Sequence, residues 1–320
     1  MILFGANWLT DGASAIARRL GLSDLIVGLT VVSFGTSMPE FVISFISSLN
    51  GNAPLAVGNV VGSNTFNILA IIGFTALVRP LKVENGTLIN EIPLMVLSSI
   101  ALLVLGNGVL LDGAYTAVVT RSSGILLLLF FIIFLWYTVE KAVADRKLQS
   151  CQSTAGSTGE EKAAQPTKSM SMWKASALVA AGLALLIYGG DRFVDGASGL
   201  ASQLGVSDAV IGLTIAAAGT SLPELAASLV AAVKGRAGMA VGNVIGSNIF
   251  NAFFVLGSAA VASPLTFGSV GNLDLLTLTG ASLLFWIFGW IIGKRTITRA
   301  EGSLLAILYI AYITILVVRA

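Results

Sequence analysis

The chain has no histidine and a single cysteine, Cys151. Without histidine it lacks the side chain that most often shuttles protons near neutral pH and the commonest transition-metal ligand. One cysteine cannot close an internal disulfide, so cysteine usage says little about redox compartment. Charge is scarce too. Asp, Glu, Lys and Arg make up 11% of the 320 residues, where an ordinary soluble domain carries about 25%. Hydrophobic residues reach 56% and the mean hydropathy is +0.91. Too few polar side chains remain to coat a water-soluble globule of this mass, which argues strongly against a soluble enzyme. Segments of about ten residues with alternating polarity, the mark of a membrane β-barrel, are missing. No cleavable signal peptide is expected, because residues 1–4 form far too short an apolar stretch.

What the chain does have is long apolar runs, near 24–48, 53–78, 92–111, 122–138, 173–200, 208–233, 239–262, 273–293 and 302–318, with a shorter tenth segment at 1–20. A helix crosses a bilayer with about 20 mostly apolar residues, so each run is long enough or nearly so. The stretch 140–172 differs in kind: it is rich in Ser, Thr, Gln, Lys and Glu and contains Pro166. It reads as a flexible polar loop that divides the chain into 1–139, 140–172 and 173–320.

The two flanking parts are copies. A shift of 184 positions aligns residues 5–80 with 189–264 without a gap, and about 34 of these pairs are identical. Each half holds five spans, and an odd number makes the second half enter the membrane from the opposite side. Inverted repeats of this kind are a signature of secondary transporters. Charge supports the orientation. With the N-terminus placed outside, only Arg121, Arg192 and Arg319 of the 18 Lys and Arg fall on the outer side. The positive-inside rule then places the central loop in the cytoplasm and both termini outside the plasma (inner) membrane.

Two acidic residues stand apart. Glu40 and Glu224 lie mid-way along apolar segments at equivalent repeat positions, with no Lys, Arg or His in either segment. A carboxylate at that depth is costly and is seldom kept without a partner, and a bound cation would supply the missing counter-charge. Ser33, Thr36, Ser37, Glu40 and Ser44 make one oxygen-bearing stripe at helical spacing, and the second copy reads Ala217, Thr220, Ser221, Glu224 and Ser228. Pro39 and Pro223 free backbone carbonyls near Thr36 and Thr220. The next segment adds Asn59, Ser63 and Asn67, or Asn243, Ser247 and Asn251, beside the GxxxG pairs Gly58/Gly62 and Gly242/Gly246. Taken singly, an intramembrane Ser or Thr most often bonds its own helix backbone, and GxxxG is most often packing. A doubled block with two symmetric glutamates is harder to dismiss. All-oxygen ligands suit Ca²⁺, which takes 6–8 of them in irregular geometry. Na⁺ uses the same oxygens, and copper, zinc and iron are poor candidates.

GTSMPE (35–40) with GNVVGSNTFN (58–67), and GTSLPEL (219–225) with GNVIGSNIFN (242–251), resemble the two α-repeats of the sodium/calcium exchanger family, within the calcium/cation antiporter superfamily. The likeness covers nearly the whole chain. It implies an all-α membrane protein of about ten transmembrane helices in two inverted five-helix repeats, with four central cation sites in a diamond. Carried over by position, the resemblance implies calcium ligands at the carboxylates of Glu40 and Glu224 and the carbonyls of Thr36 and Thr220. Sodium sites would add Ser37, Ser63, Ser221 and Ser247 and the backbone oxygens of Ser33 and Ala217. Asn67 and Asn251 would line the middle site.

The chain departs from the family pattern in two places. Some relatives, including the branch that co-transports potassium, carry Asp where Asn251 stands, so Asn there resembles the potassium-independent type. Residues 170–184 have no counterpart before Met1, so the first helix is expected to be truncated, with its true start upstream. The expected activity is exchange of Na⁺ for Ca²⁺ by alternating access, with calcium exported. A Ca²⁺/H⁺ exchanger and a non-transporting membrane scaffold stay open as alternatives. An enzyme is not expected, since no HExxH or nucleophile–base pair is present. No cofactor, nucleic acid or protein partner is implied; the partners are the two ions and the lipid bilayer.

Overall fold

The computed structural model describes residues 1–113, 115–155, 170–204, 217–292 and 295–319. It is almost entirely helical. The main helices are α1 (Ile2–Leu20), α2 (Asp24–Thr36), α3 (Met38–Leu49), α4 (Ala53–Val78), α5 (Thr87–Gly106), α6 (Arg121–Ala155), α7 (Met172–Gln203), α8 (Leu222–Val233), α9 (Ala237–Ala262), α10 (Asn272–Trp290) and α11 (Arg299–Arg319). Among the described residues seven helices are long and apolar enough to cross a membrane, or eight if the bent pair α2–α3 counts as one span.

Local signals set the helix ends. Gly21 stops α1 in the left-handed conformation, φ +67°, where a side chain would be strained. Ser23 Oγ then accepts from Ile26 N–H to start α2, and Asn52 Oδ1 accepts from Leu55 N–H to start α4. Between α2 and α3 the chain bends by 47° at Ser37. Pro39 explains the break: it has no N–H for the carbonyl of Gly35, and its ring clashes with that carbonyl. Pro223 sits at the same place in the first turn of α8.

Burial separates centre from periphery. The most apolar stretches of α4 and α9 are each 83% buried, against 22–28% for α6, α7 and α11. Ile132, Ile133 and Trp136 of α6 face outward and exposed, a pattern that suits contact with lipid. At the centre, α9 lies directly against α2. A Cβ on Gly242 would stand 2.5 Å from Leu25 O, and one on Gly28 would stand 2.5 Å from Met239 O. The glycines at 242 and 28 therefore let two backbones touch. A similar seam joins α1 to α7, where Cβ atoms on Gly5 and Gly182 would come within 2.8 Å of backbone atoms across the seam.

Two very short antiparallel ladders tie the halves together. β1 (Leu81–Lys82) pairs with β4 (Thr296–Ile297) in the register Leu81↔Ile297. β2 (Val118–Val119) pairs with β3 (Leu265–Thr266) in the register Val119↔Leu265. Each ladder takes one strand from each half of the chain.

The polar stretch beginning at 140 does not start as a loop. Helix α6 continues to Ala155, because Glu140–Gln152 is built of good helix formers and meets neither Gly nor Pro before Gly156. The remainder of the expected loop, residues 156–169, lies outside the described residues.

Candidate cation site

The breaks at Ser37 and Ser221 put Glu40 and Glu224 in the first turns of α3 and α8. Both side chains are fully buried. At these positions the free N–H groups of a helix start favour negative charge. Each carboxylate takes one hydrogen bond from the other half of the chain. Ser37 Oγ donates to Glu224 Oε1 at 2.9 Å and Ser221 Oγ donates to Glu40 Oε1 at 3.0 Å. The second oxygen of each glutamate, Oε2, is buried without a partner among the described residues. Ser63 Oγ, Ser247 Oγ, Asn67 Oδ1 and both polar atoms of the Asn251 amide are likewise buried and unpartnered. Unmatched buried polar atoms are expensive, and these lie on α3, α4, α8 and α9, the helices that carry the two doubled sequence blocks.

Of the remaining stripe hydroxyls, Thr220 Oγ1 is also buried without a partner among the described residues, while those of Ser33 and Thr36 are engaged. Ser33 Oγ donates to Leu29 O at 2.7 Å and Thr36 Oγ1 to Val32 O at 3.0 Å. Both hydroxyls thus make the ordinary bond back to their own helix, and each oxygen keeps lone pairs that can still accept. Thr220 stands at the equivalent break. Ala217 opens the short helix Ala217–Gly219 just before it, and the residues that precede Ala217 lie outside the described ones.

Asn59 and Asn243 are braces. Asn59 Nδ2 donates to Glu40 O at 3.2 Å and to Ser44 Oγ at 2.9 Å. Asn243 Nδ2 makes the matching bonds to Glu224 O at 3.3 Å and Ser228 Oγ at 3.0 Å. Each Asn locks the helix bearing a glutamate to the next helix in sequence. Asn67 opens, and Asn251 is the second residue of, a wide π-helical turn, Asn67–Ile71 and Phe250–Val255 respectively, a distortion that recurs at functional sites.

No group of three or more His, Cys, Asp or Glu is present among the described residues, so a cation here would rest on two carboxylates and neutral oxygens. That donor set suits a hard ion bound for passage. Comparison with known sequences decides the family. The sodium/calcium exchanger protein family matches residues 1–139 and 174–318. The chain belongs to the sodium/calcium exchanger family. It is therefore an integral, multi-pass membrane protein of a cation/Ca²⁺ antiporter family, and that family is one of transporters.

Relatives of this exchanger-family chain include the sodium/calcium exchanger MaX1 of Methanosarcina acetivorans, 30% identical over 98% of this chain and 94% of that protein. The inner membrane protein YrbG of Escherichia coli is 37% identical over 91% of this chain and 86% of its own length. Among solved structures, the sodium-calcium exchanger NCX_Mj soaked with 2.5 mM Na⁺ and 0.1 mM Ca²⁺ superposes with a TM-score of 0.79 at 32% identity. The match covers 98% of this chain and 94% of that one.

Two residues at the centre escaped the sequence reading. Asn64 and Asn248 each follow a stripe serine and are almost fully buried where α4 crosses α9. They lie off the i, i+4 stripe, but both copies carry the triplet GSN, and that identity was the signal available. A second omission is Glu91. It is fully buried, accepts from Tyr137 Oη at 2.6 Å and forms an ion pair with the partly buried Lys141.

Proposed function

We propose that this protein is a secondary active transporter that exchanges Na⁺ for Ca²⁺ by alternating access and exports calcium. The observation that carries the reading is the reciprocal pair of buried glutamates, each held by the other half's serine and each left with one free oxygen. Two carboxylates balance one Ca²⁺. Three Na⁺ in the same place, the stoichiometry the resemblance implies, leave one net positive charge, so exchange is electrogenic.

In this reading Ca²⁺ is bound by Glu40 and Glu224 and by the carbonyls of Thr36 and Thr220. Na⁺ is bound with Ser37, Ser221, Ser63 and Ser247, the backbone oxygens of Ser33 and Ala217, and the middle amides Asn67 and Asn251. The halves 1–139 and 173–320 are two inverted repeats of five spans each, giving about ten, with the 140–172 segment cytoplasmic and both termini outside the plasma (inner) membrane. The crossed ladders favour inversion. β1 and β3 are equivalent by the repeat, yet β1 pairs with β4 and β3 with β2, an arrangement natural for two units related by a two-fold axis in the membrane plane.

The test is calcium flux in proteoliposomes. An imposed Na⁺ gradient should drive ⁴⁵Ca²⁺ uptake that persists when the pH gradient is collapsed. Uptake driven by a pH gradient in the absence of Na⁺ would replace this reading with Ca²⁺/H⁺ exchange, and no driven flux under either gradient would leave a scaffold.

A further inference from the structure

The crossing of α4 and α9 is bolted by a reciprocal pair of bonds. Asn64 Nδ2 donates to Asn248 O at 3.1 Å, and Asn248 Nδ2 donates to Asn64 O at 3.3 Å. Each side chain thus commits its NH₂ to the opposite backbone and turns its Oδ1 into the centre as an acceptor. Asn248 Oδ1 is used: it accepts from Asn67 Nδ2 at 3.0 Å. A primary amide has a donor end and an acceptor end on one rigid plane, so fixing the NH₂ fixes the direction of the oxygen. With its NH₂ held by Asn248, Asn67 presents Oδ1 as its free end, and that oxygen is buried without a partner among the described residues.

The symmetric counterpart of this bond would run from Asn251 Nδ2 to Asn64 Oδ1. It is not made, and both of those atoms are buried and unpartnered. The contrast isolates the effect. The two halves share the bolt, but only the Asn248 half has its carbonyl engaged with a site amide.

We infer that Asn248 is a positioning residue for cation binding: its Oδ1 holds the Asn67 amide so that the Asn67 oxygen, not the NH₂, faces the ion. This rests on the reading above that Asn67 lines the cation site. An amide free to rotate would present its NH₂ for part of the time, and an NH₂ repels a cation where the oxygen would bind it. Asn248 makes no contact with the ion in this scheme and acts through Asn67.

The experiment is Na⁺-driven ⁴⁵Ca²⁺ uptake by full-length protein in proteoliposomes, with KM for Ca²⁺ and Vmax measured for Asn67→Ala, Asn248→Ala, their double variant and Asn64→Ala. Thermal melting in detergent is recorded alongside. The expected result is a roughly 3- to 10-fold rise in KM for Asn248→Ala, the size of one lost hydrogen bond, with a double variant no worse than Asn67→Ala alone. Asn64→Ala removes one bolt bond and leaves the Asn67 contact, so it should lower the melting temperature with KM near wild type. If Asn248→Ala does not fold, Asn248→Ser serves instead: it keeps a polar group at the crossing and is too short to hold Asn67. Effects of Asn67→Ala and Asn248→Ala that multiply in the double variant would overturn the proposal. So would equal KM shifts for Asn64→Ala and Asn248→Ala, which would reduce both to packing. A wild-type KM in Asn67→Ala, with uptake still Na⁺-driven, would remove the premise that Asn67 lines the site without touching the exchange itself.

Discussion

Replacing Glu40 or Glu224 by glutamine changes little but charge. The side chain keeps its volume, and its remaining carbonyl can still accept the serine bond seen at 2.9–3.0 Å. What disappears is one negative charge at full burial. At an ion–oxygen distance of about 2.4 Å and an effective dielectric near 20, a carboxylate attracts Ca²⁺ by about 14 kcal/mol and Na⁺ by about 7. These are gross figures, offset by what each ion gives up in leaving water. Breaking a buried charge pair costs about 3–5 kcal/mol in practice, which corresponds to at least about 100-fold in affinity. The variants Glu40→Gln and Glu224→Gln should therefore lose calcium transport at physiological concentrations, by similar amounts, because the two glutamates have matching environments. Calcium should suffer more than sodium, since the lost attraction scales with ionic charge. The assay is Na⁺-driven ⁴⁵Ca²⁺ uptake at several calcium concentrations, with detergent melting curves to show that the fold persists. Uptake with wild-type KM in the Glu40→Gln/Glu224→Gln double variant would refute the site.

Replacing K⁺ by choline at constant Na⁺ should leave uptake unchanged, because Asn251 brings no additional acid to the site; flux that vanishes would count against the reading of Asn251. Gly242→Ala would force a methyl to 2.5 Å from Leu25 O and should destabilise the protein by about 1–3 kcal/mol. Gly280→Ala meets nothing within 4 Å and should be neutral or stabilise by up to about 1 kcal/mol; melting curves that rank these two the other way would falsify the packing argument. Lys141→Ala strands the buried Glu91 carboxylate and should cost about 3 kcal/mol. The double change Glu91→Leu/Lys141→Met should cost much less in the same melting assay, and an equal loss would show that the charges do not matter to one another.

Much of this site was legible from residue order. The doubled GTS-x-PE block placed both glutamates beside a proline break, and the 47° bend falls at Ser37, inside the first copy of that block. The stripe on the following helix points to Asn67 and Asn251, and both carry buried side-chain atoms without a partner among the described residues. What was not legible depends on which helix lies opposite. Ser37 reaches Glu224, the carboxylate of the other half, and no periodicity within one helix can report that. Asn64 and Asn248 matter because two helices cross at their level, and a helical stripe drawn from Ser63 passes beside them. Glu91 sits near the start of a span, where depth alone suggests contact with water. Its full burial comes from Tyr137 and Lys141, which fold over it from α6. The helical stretch beyond residue 139 is hidden for a different reason: its polarity resembles that of a flexible loop, although its residues favour a helix.

Three cations cluster at the C-terminal end of α8. Arg79 donates to the carbonyls of Ala232 and Val233, Lys234 binds Asp11 at 2.8 Å and Asn7 O at 3.3 Å, and Arg236 lies 3.7 Å from Asp24. The positions equivalent by the repeat are Ser263, Asn50 and Asn52, all neutral. Under the proposed inverted arrangement these two sets lie on opposite membrane faces. A transporter whose halves exchange conformations would have two end states related by the two-fold axis, and of equal energy, if the halves were identical. Here only one face can form the Lys234–Asp11 and Arg236–Asp24 pairs. Partly exposed pairs of this kind contribute up to about 1 kcal/mol each, enough to skew the two populations several-fold. Under that arrangement Lys234 and Arg236 would give the resting equilibrium a preferred side, and a rise in ionic strength would relax that preference toward parity.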